Sequence, residues 1–233
     1  AVLNGCELLS KGTKHTGGIG DLLAVDIGGA ATDIYSIADG KPTIENVIIK
    51  GLPEPFSKRT VEGDLGMRYS LSSLADELDL EFLAEEIGLQ PADISTWVKT
   101  CSANPSTLAN PQSAEQKIEE ALARGAVKIA VERHVGVYQP AYTPFGQVFS
   151  LTGKDLSAVP FVVGIGGAII NAENPKYILE GAKLQTDDFV YAKPKNPDYL
   201  IDKKYIFASM GLLSSAYPEL ALELMKKEVK QLI

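Results

Sequence analysis

Two short stretches of this 233-residue chain combine acids with missing side chains in a way that could do chemistry. The first is DLLAVDIGGAATDIYS, residues 21–36, where an apolar run ends on Asp26, Gly28 and Gly29 follow, and a second apolar run carries Asp33. Two adjacent glycines remove side chains from a turn, so a bulky anion can approach backbone N–H groups there. Asp26 at the mouth could hold a hydrated divalent cation, which would offset its repulsion from a phosphate. Asp33, on the return strand, is within reach of the same mouth or of the turn amides. The second stretch is Gly164-Ile165-Gly166-Gly167, at the end of the apolar run at 159–165. Gly166 and Gly167 let something flat, or another backbone, press against a strand-to-helix turn, and a helix starting there would point its positive end at the site.

Taken singly, each stretch has a bland reading. A Gly-Gly between strands is an ordinary hairpin turn, and a G-x-G-G is an ordinary tight turn. Neither is the dinucleotide fingerprint G-x-G-x-x-G, and neither is a P-loop, because no Gly-Lys-Ser/Thr follows.

The elements that must position these residues come from periodicity. Residues 21–27 read as a buried central strand, 32–38 as a second strand, and 42–50 as a third, the last two joined through the Asp-Gly turn at 38–41. A Pro-rich connection, 51–59, leads to a helical region that begins near Gly63–Tyr69. Gly88 ends a helix, Pro91 opens the next, 102–113 is a polar loop, and 114–136 return to helix with Ile118, Leu122, Ala126 and Ile129 on one stripe. The strand at 159–165 pairs parallel to the first, since a long helical crossover separates them. Short helices follow, opened by Pro175 and Pro218 and, between them, by Asp202 as N-cap. The expected architecture is one mixed α/β sheet flanked by helices, with a helical insert at 80–113.

Bulk properties narrow the function. The formal net charge of −8 argues against a nucleic-acid partner. No apolar run reaches the length of a membrane span. Cys6 and Cys101 offer neither a disulfide framework nor metal-ligand spacing and fit a reducing, cytoplasmic setting. His15 and His134 are isolated in sequence and read as surface or packing residues. The start, AVLNGCELLSKG, looks like the last turns of a helix capped by Gly12, without a signal-peptide pattern. We therefore expect a fragment whose upstream half has been removed.

In this order and spacing, the two stretches together are far more specific than apart. D-x-G-G-x-x-[ST]-D opening a strand meander, then a G-x-G-G turn some way downstream, resembles the second half of the actin/Hsp70/sugar-kinase ATPase superfamily, with its RNase H-like fold. The segments GDLLAVDIGGAATDIYS, RTVEGDLGMRYS, YTPFGQVFSLTGKDLSAVPFVVGIGGAIIN and NPDYLIDKKYIFASMGLLSSAYPELAL narrow this. They resemble the MutL-type proteins encoded beside adenosylcobalamin-dependent glutamate mutase, which are distinct from the mismatch-repair protein of the same name. The resemblance runs along nearly the whole chain and is weakest in 80–113.

That resemblance implies an ATP-dependent reactivating factor, chaperone-like, that opens a B12-dependent mutase so that damaged cobalamin leaves. It implies ATP and Mg2+ as ligands. Asp26, Gly28, Gly29, Thr32 and Asp33 correspond to the phosphate loop, with Asp26 as the catalytic acid that reaches Mg2+ through water. Glu62, Gly63 and Asp64 correspond to the start of a helix bordering the cleft, although a plain capped helix start explains these acids equally well. Gly164, Gly166 and Gly167 correspond to the adenosine loop. Residues 1–79 and 114–233 would then form the second ATPase lobe.

Two departures stand against full activity. Position 31 is Ala where superfamily loops often place Thr, and no first phosphate loop, D-x-G-[ST]-x-[ST], is present. A missing N-terminal ATPase lobe leaves one wall of the cleft absent, so the fragment is expected to be inactive or feeble as an ATPase. The alternatives are a non-hydrolysing interaction module of the same fold, or a small-molecule kinase lobe. Faces left bare by truncation would allow a homodimer.

Overall fold

The computed structural model describes residues 1–144, 146–185 and 190–232. Its main element is a six-stranded mixed sheet. The strands in chain order are β1 (Leu22–Ile27), β2 (Thr32–Ile37), β3 (Val47–Lys50), β4 (Ser57–Glu62), β5 (Val137–Thr143), β6 (Gly146–Thr152), β7 (Phe161–Ile165), β8 (Asp198–Ile201) and β9 (Lys230–Gln231). The main sheet runs β4-β2-β1-β7-β8-β9. β2 is antiparallel to both of its neighbours, β4 and β1, β7 and β8 run parallel to β1, and β9 is antiparallel to β8. β1 sits at the centre because nothing in LLAVDI except Asp26 resists burial on either face; Leu22, Leu23, Ala24 and Val25 have no exposure. Burying each leucine is worth roughly 1.5–3 kcal/mol.

Side chains alternate across β1 and divide the core in two. Leu23, Val25 and Ile27 face one helical layer: α2 (Leu71–Asp76), α3 (Leu80–Ile87), α4 (Pro91–Ala103) and the long α5 (Ala114–His134). Leu22 and Ala24, with Tyr35, Ile37, Val163 and Ile165, face the other: α1 (Val2–Lys11), α8 (Phe207–Leu213) and α9 (Pro218–Glu228). Two short helices, α6 (Gly167–Ile170) and α7 (Pro175–Leu179), follow β7. Among the described residues no helix is long and apolar enough to cross a membrane.

Local signals explain most boundaries. Gly12 ends α1 with φ 78°, and Gly88 ends α3 in the left-handed region. Asp79 caps α3 by accepting from the N–H groups of Glu81 and Phe82, Ser113 caps α5 by accepting from Gln116, and Pro91, Pro175 and Pro218 stand in first turns.

Four expectations are corrected. The third strand of the antiparallel meander is β4 at Ser57–Glu62, not 42–50, because the alternating SKRTVE pairs with β2 while VIIK pairs with β6. VIIK belongs instead to a second, three-stranded sheet, β3-β6-β5, whose hairpin was not anticipated. This sheet is pinned by the buried Asp155, whose carboxylate accepts from Thr43, Tyr138 and Ser157. The helical region begins at Leu71, just past the expected Gly63–Tyr69, which forms turns and bends instead. Asp202 accepts from Ile206 and Phe207 N–H but sits in the turn ahead of α8, whose first residue is Phe207.

Candidate functional site

β1 delivers Asp26 and Ile27 to the carboxyl end of the sheet, and the chain returns as β2 at Thr32. The Gly28 N–H closes the turn by donating to the Ala31 carbonyl at 2.9 Å. The remaining carbonyls of the loop are taken by the segment before α2. Met67 N–H donates to Gly28 at 3.0 Å, Arg68 and Tyr69 N–H both donate to Gly29 at 2.8 Å, and the Ser70 hydroxyl donates to Ala30 at 2.9 Å. Gly66 permits this close brace, because a Cβ there would lie 2.3 Å from the Ala30 carbonyl carbon. The N–H groups of Gly29, Ala30 and Ala31 have no acceptor among the described residues. Successive amide donors of this kind are what an oxyanion needs.

The second turn is pressed onto the first strand. Gly166 has φ 90°, and a Cβ there would lie 2.5 Å from both Asp26 Oδ1 and the Ile27 carbonyl oxygen. Only glycine fits at that approach. Gly167 then opens α6, which is four residues long, so its dipole is slight and the expected positive helix end is a single turn. Gly28, Gly29 and Gly167 line one cavity of about 400 Å³, together with Arg68, Glu119 and Asn171. The two glycine turns thus meet at one end of the sheet.

Asp26 leaves β1 on the opposite face, having the parity of Leu22 and Ala24, and it stands in register with Asp33 on β2. Burial pushes its carboxyl up to about 6, and the charges of Asp33 and Asp202 add to that, against a smaller opposing pull from Arg59. Asp33 is held by Arg59, whose Nε and Nη2 lie 2.8 and 2.7 Å from its Oδ1. Asp202, fully buried at the end of β8, donates its N–H to the Gly164 carbonyl at 2.9 Å. Three acids and one arginine therefore share this side of the sheet end. No group of three His, Cys, Asp or Glu among the described residues could hold a metal ion directly.

Other residues singled out from sequence have structural partners. Thr32 is fully buried, and its hydroxyl donates to the Leu65 carbonyl at 2.6 Å. Glu62 ends β4, and Asp64 lies in the following turn, not at a helix start. Both pair with Arg133 of α5, at 2.9 and 2.8 Å, and Glu77 adds a third carboxylate at 3.3 Å. The carbonyl of Gly63 accepts from Ser70 Oγ. Gly164 lies inside the sheet, where a Cβ would meet Ile169 at 2.7 Å. His134 is buried, hydrogen-bonded to Thr60 and Ser36 at 2.8 Å each, and burial, aided by Lys58 and Lys154, lowers its pKa to about 3.

Sequence reasoning missed Arg68 and Glu119. Arg68 lies in the motif RTVEGDLGMRYS but carries no local mark of a site residue, and Glu119 is one acid among several on α5. Their role depends on the crossing of α5 over the glycine turn.

The fold and site define an α/β unit with two convergent glycine turns, amide donors without an acceptor among the described residues, and an acid pair at the carboxyl end of a mixed sheet. A family model described as MutL protein matches residues 1–229. The chain is also 43% identical over 228 residues to "Protein MutL" of Clostridium tetanomorphum, an alignment covering 97% of this chain and 49% of that relative. The chain belongs to the MutL family, and it spans about half the length of this relative.

Proposed function

We propose that this chain is the nucleotide-binding lobe of an ATP-dependent reactivating factor for an adenosylcobalamin-dependent amino-acid mutase such as glutamate mutase, built on the RNase H-like fold of the actin/Hsp70/sugar-kinase superfamily. One observation carries the reading: Gly28, Gly29 and Gly167 line a single cavity beside three amide donors that have no acceptor among the described residues. The strand order, three antiparallel strands followed by parallel β7 and β8, agrees with that fold. Residues 1–79 and 114–233 form the lobe, and 80–113 a helical insert whose last loop, at Leu108–Pro111, borders the cavity.

In this reading the donors at 29–31 bind phosphate oxygens at the Gly28–Gly29 end of the cavity, and the nucleoside lies against the Gly166–Gly167 turn. A carboxyl whose ionisation is opposed by burial and two neighbouring acids suits a position facing a hydrated cation. Asp26 would hold Mg2+ through water, and the ion would supply charge neutralisation of the phosphates. Asp33 is kept in place by Arg59, and Thr32, Glu62 and Asp64 shape the loop and its brace from behind. The partners are a second ATPase lobe that closes the cleft and the mutase itself.

The test is calorimetric titration of this chain with Mg-ATP, followed by turnover measurement. Saturable binding that is lost in Asp26→Ala, with negligible hydrolysis, is the expected outcome. Turnover at kinase-like rates of about 1–100 per second would contradict the assignment to one half of a cleft. In full-length protein, ATP-dependent recovery of an inactivated mutase should disappear with the same substitution.

A second reading, a nucleotide-binding or interaction module without hydrolysis, is favoured by Ala31 and by the buried, fully used hydroxyl of Thr32. It predicts that the full-length protein recovers mutase with a non-hydrolysable ATP analogue as well as with ATP.

A further inference from the structure

The cavity that the glycine turns line also contains an ion pair that no role assigned so far uses. Arg68 is the one cation among the described residues lining the cavity. Its backbone N–H holds the Gly29 carbonyl at 2.8 Å, and its Cβ and Cγ lie 3.5 and 3.7 Å from where a Cβ on Gly29 would be. The side chain therefore starts beneath the loop. Its Nη1 donates to the Met67 carbonyl at 2.6 Å, and its Nη2 lies 2.8 Å from Glu119 Oε1 on α5. Both side chains are largely buried, at 16% and 18% exposure.

The pairing with Glu119 is close but poorly directed. Glu119 Oε1 is buried and makes no aligned hydrogen bond, so the contact is coulombic, and with Nη1 turned to the Met67 carbonyl no carboxylate fills the guanidinium fork. A phosphate offers that fork two parallel acceptors, the geometry guanidinium binds best. The neighbouring Glu120 is not available as a competitor, because its Oε1 already accepts from Gln116 and from the N–H groups of Glu173 and Asn174.

We infer that Arg68 is the phosphate-charge-reading residue of this site, held in reserve by Glu119 and transferred from that carboxylate to an oxyanion when the loop is occupied. This rests on the nucleotide reading above. The residue acts by rotating its side chain from one anionic partner to another, with no bond made or broken. Selectivity follows: ligands with more phosphate charge at the loop gain more from the exchange, so a pyrophosphate group is preferred over a monophosphate.

The experiment uses the 233-residue chain and inorganic pyrophosphate and ADP as probes, by calorimetry at two salt concentrations, with inorganic phosphate as the comparison that should bind more weakly than pyrophosphate and would count against the exchange if it bound as well. Arg68→Gln should weaken both by about 10-fold and flatten the salt dependence, with Arg68→Lys losing less. Glu119→Gln removes the competing charge and should tighten pyrophosphate binding by about 3–10-fold. A purely structural ion pair would instead make Glu119→Gln neutral or weakening, and either result overturns the inference even if Arg68→Gln fails to fold. If wild-type chain binds both probes and the variants match it, the exchange is wrong and the nucleotide site stands. If wild-type chain binds neither probe, both fall.

Discussion

Asp26 and Asp33 stand directly opposite each other on neighbouring antiparallel strands, at the end of the sheet where Gly166 presses within van der Waals reach of Asp26 Oδ1. Like charges facing across a strand pair destabilise it. Arg59 relieves Asp33, while Asp26 retains a carboxyl raised from 3.8 to about 6.

That raised value makes a stability prediction. Between pH 3.8 and 6 the folded chain holds a proton on Asp26 that the unfolded chain has lost, so stability falls as pH rises through this window. Above pH 6 the ionised form persists at a cost. Asp26→Asn should therefore stabilise the ligand-free chain at pH 7.5 by about 1–2 kcal/mol and remove this part of the pH dependence. Urea unfolding at pH 4, 6 and 7.5 in the presence of a chelator checks it; a destabilised variant at pH 7.5 would contradict it.

His134 acts in the opposite sense. Its folded value, lowered from 6.5 to about 3, means that the unfolded chain binds the extra proton as pH falls below 6.5. Stability is full above that pH and should decline on acidification towards pH 3, by up to about 1.4 kcal/mol per unit from this residue. The difference in unfolding free energy between wild type and His134→Gln, followed from pH 7.5 to 4.5, should stay level down to about pH 6.5 and shrink below it. A constant difference would show that the imidazole does not remain neutral in the fold.

The two glycines of the second turn should respond differently to a methyl group. Gly166→Ala combines φ 90° with a 2.5 Å approach to Asp26 and Ile27 and is expected to cost about 2–4 kcal/mol. Gly167→Ala meets nothing nearer than Asn171 Nδ2 at 3.9 Å and should change the melting temperature little. Its added methyl borders the cavity, so ligand affinity is the property to follow in that variant.

Thr32 separates packing from ligand contact. Thr32→Val leaves the Leu65 carbonyl without its buried donor and should cost about 1–3 kcal/mol. Thr32→Ser keeps the donor and should recover most of that loss. Nucleotide affinity measured below the unfolding transition should be unchanged in Thr32→Ser; a marked loss there would assign the residue to the ligand.

The central strand, its parallel partner at Phe161–Ile165, the long α5 and the Pro- and Gly-marked helix ends could be read from local chemistry, because burial on both faces and cap geometry leave direct traces in residue type. The error over β3 and β4 arose where local signals are weakest. VIIK is the better strand by composition, yet Ile48 and Ile49 are exposed on a small outer sheet, while the charged SKRTVE wins the place beside β2 through register and through Arg59 reaching Asp33. The glycine turns themselves were legible. What was not legible was their setting: the carbonyls taken up by residues 67–70, the Arg68–Glu119 wall, and Thr32 turned inward all depend on segments brought together by α5 and the turns after β4.

The brace beneath the first glycine turn has a thermodynamic consequence. A loop of Gly-Gly-Ala-Ala would ordinarily sample many shapes and would have to surrender them on meeting a ligand. Here four donors from Met67, Arg68, Tyr69 and Ser70 fix those shapes when the chain folds. Association at this turn then starts from a receptor already frozen into one form, and the entropy toll normally levied on a glycine loop falls on folding instead.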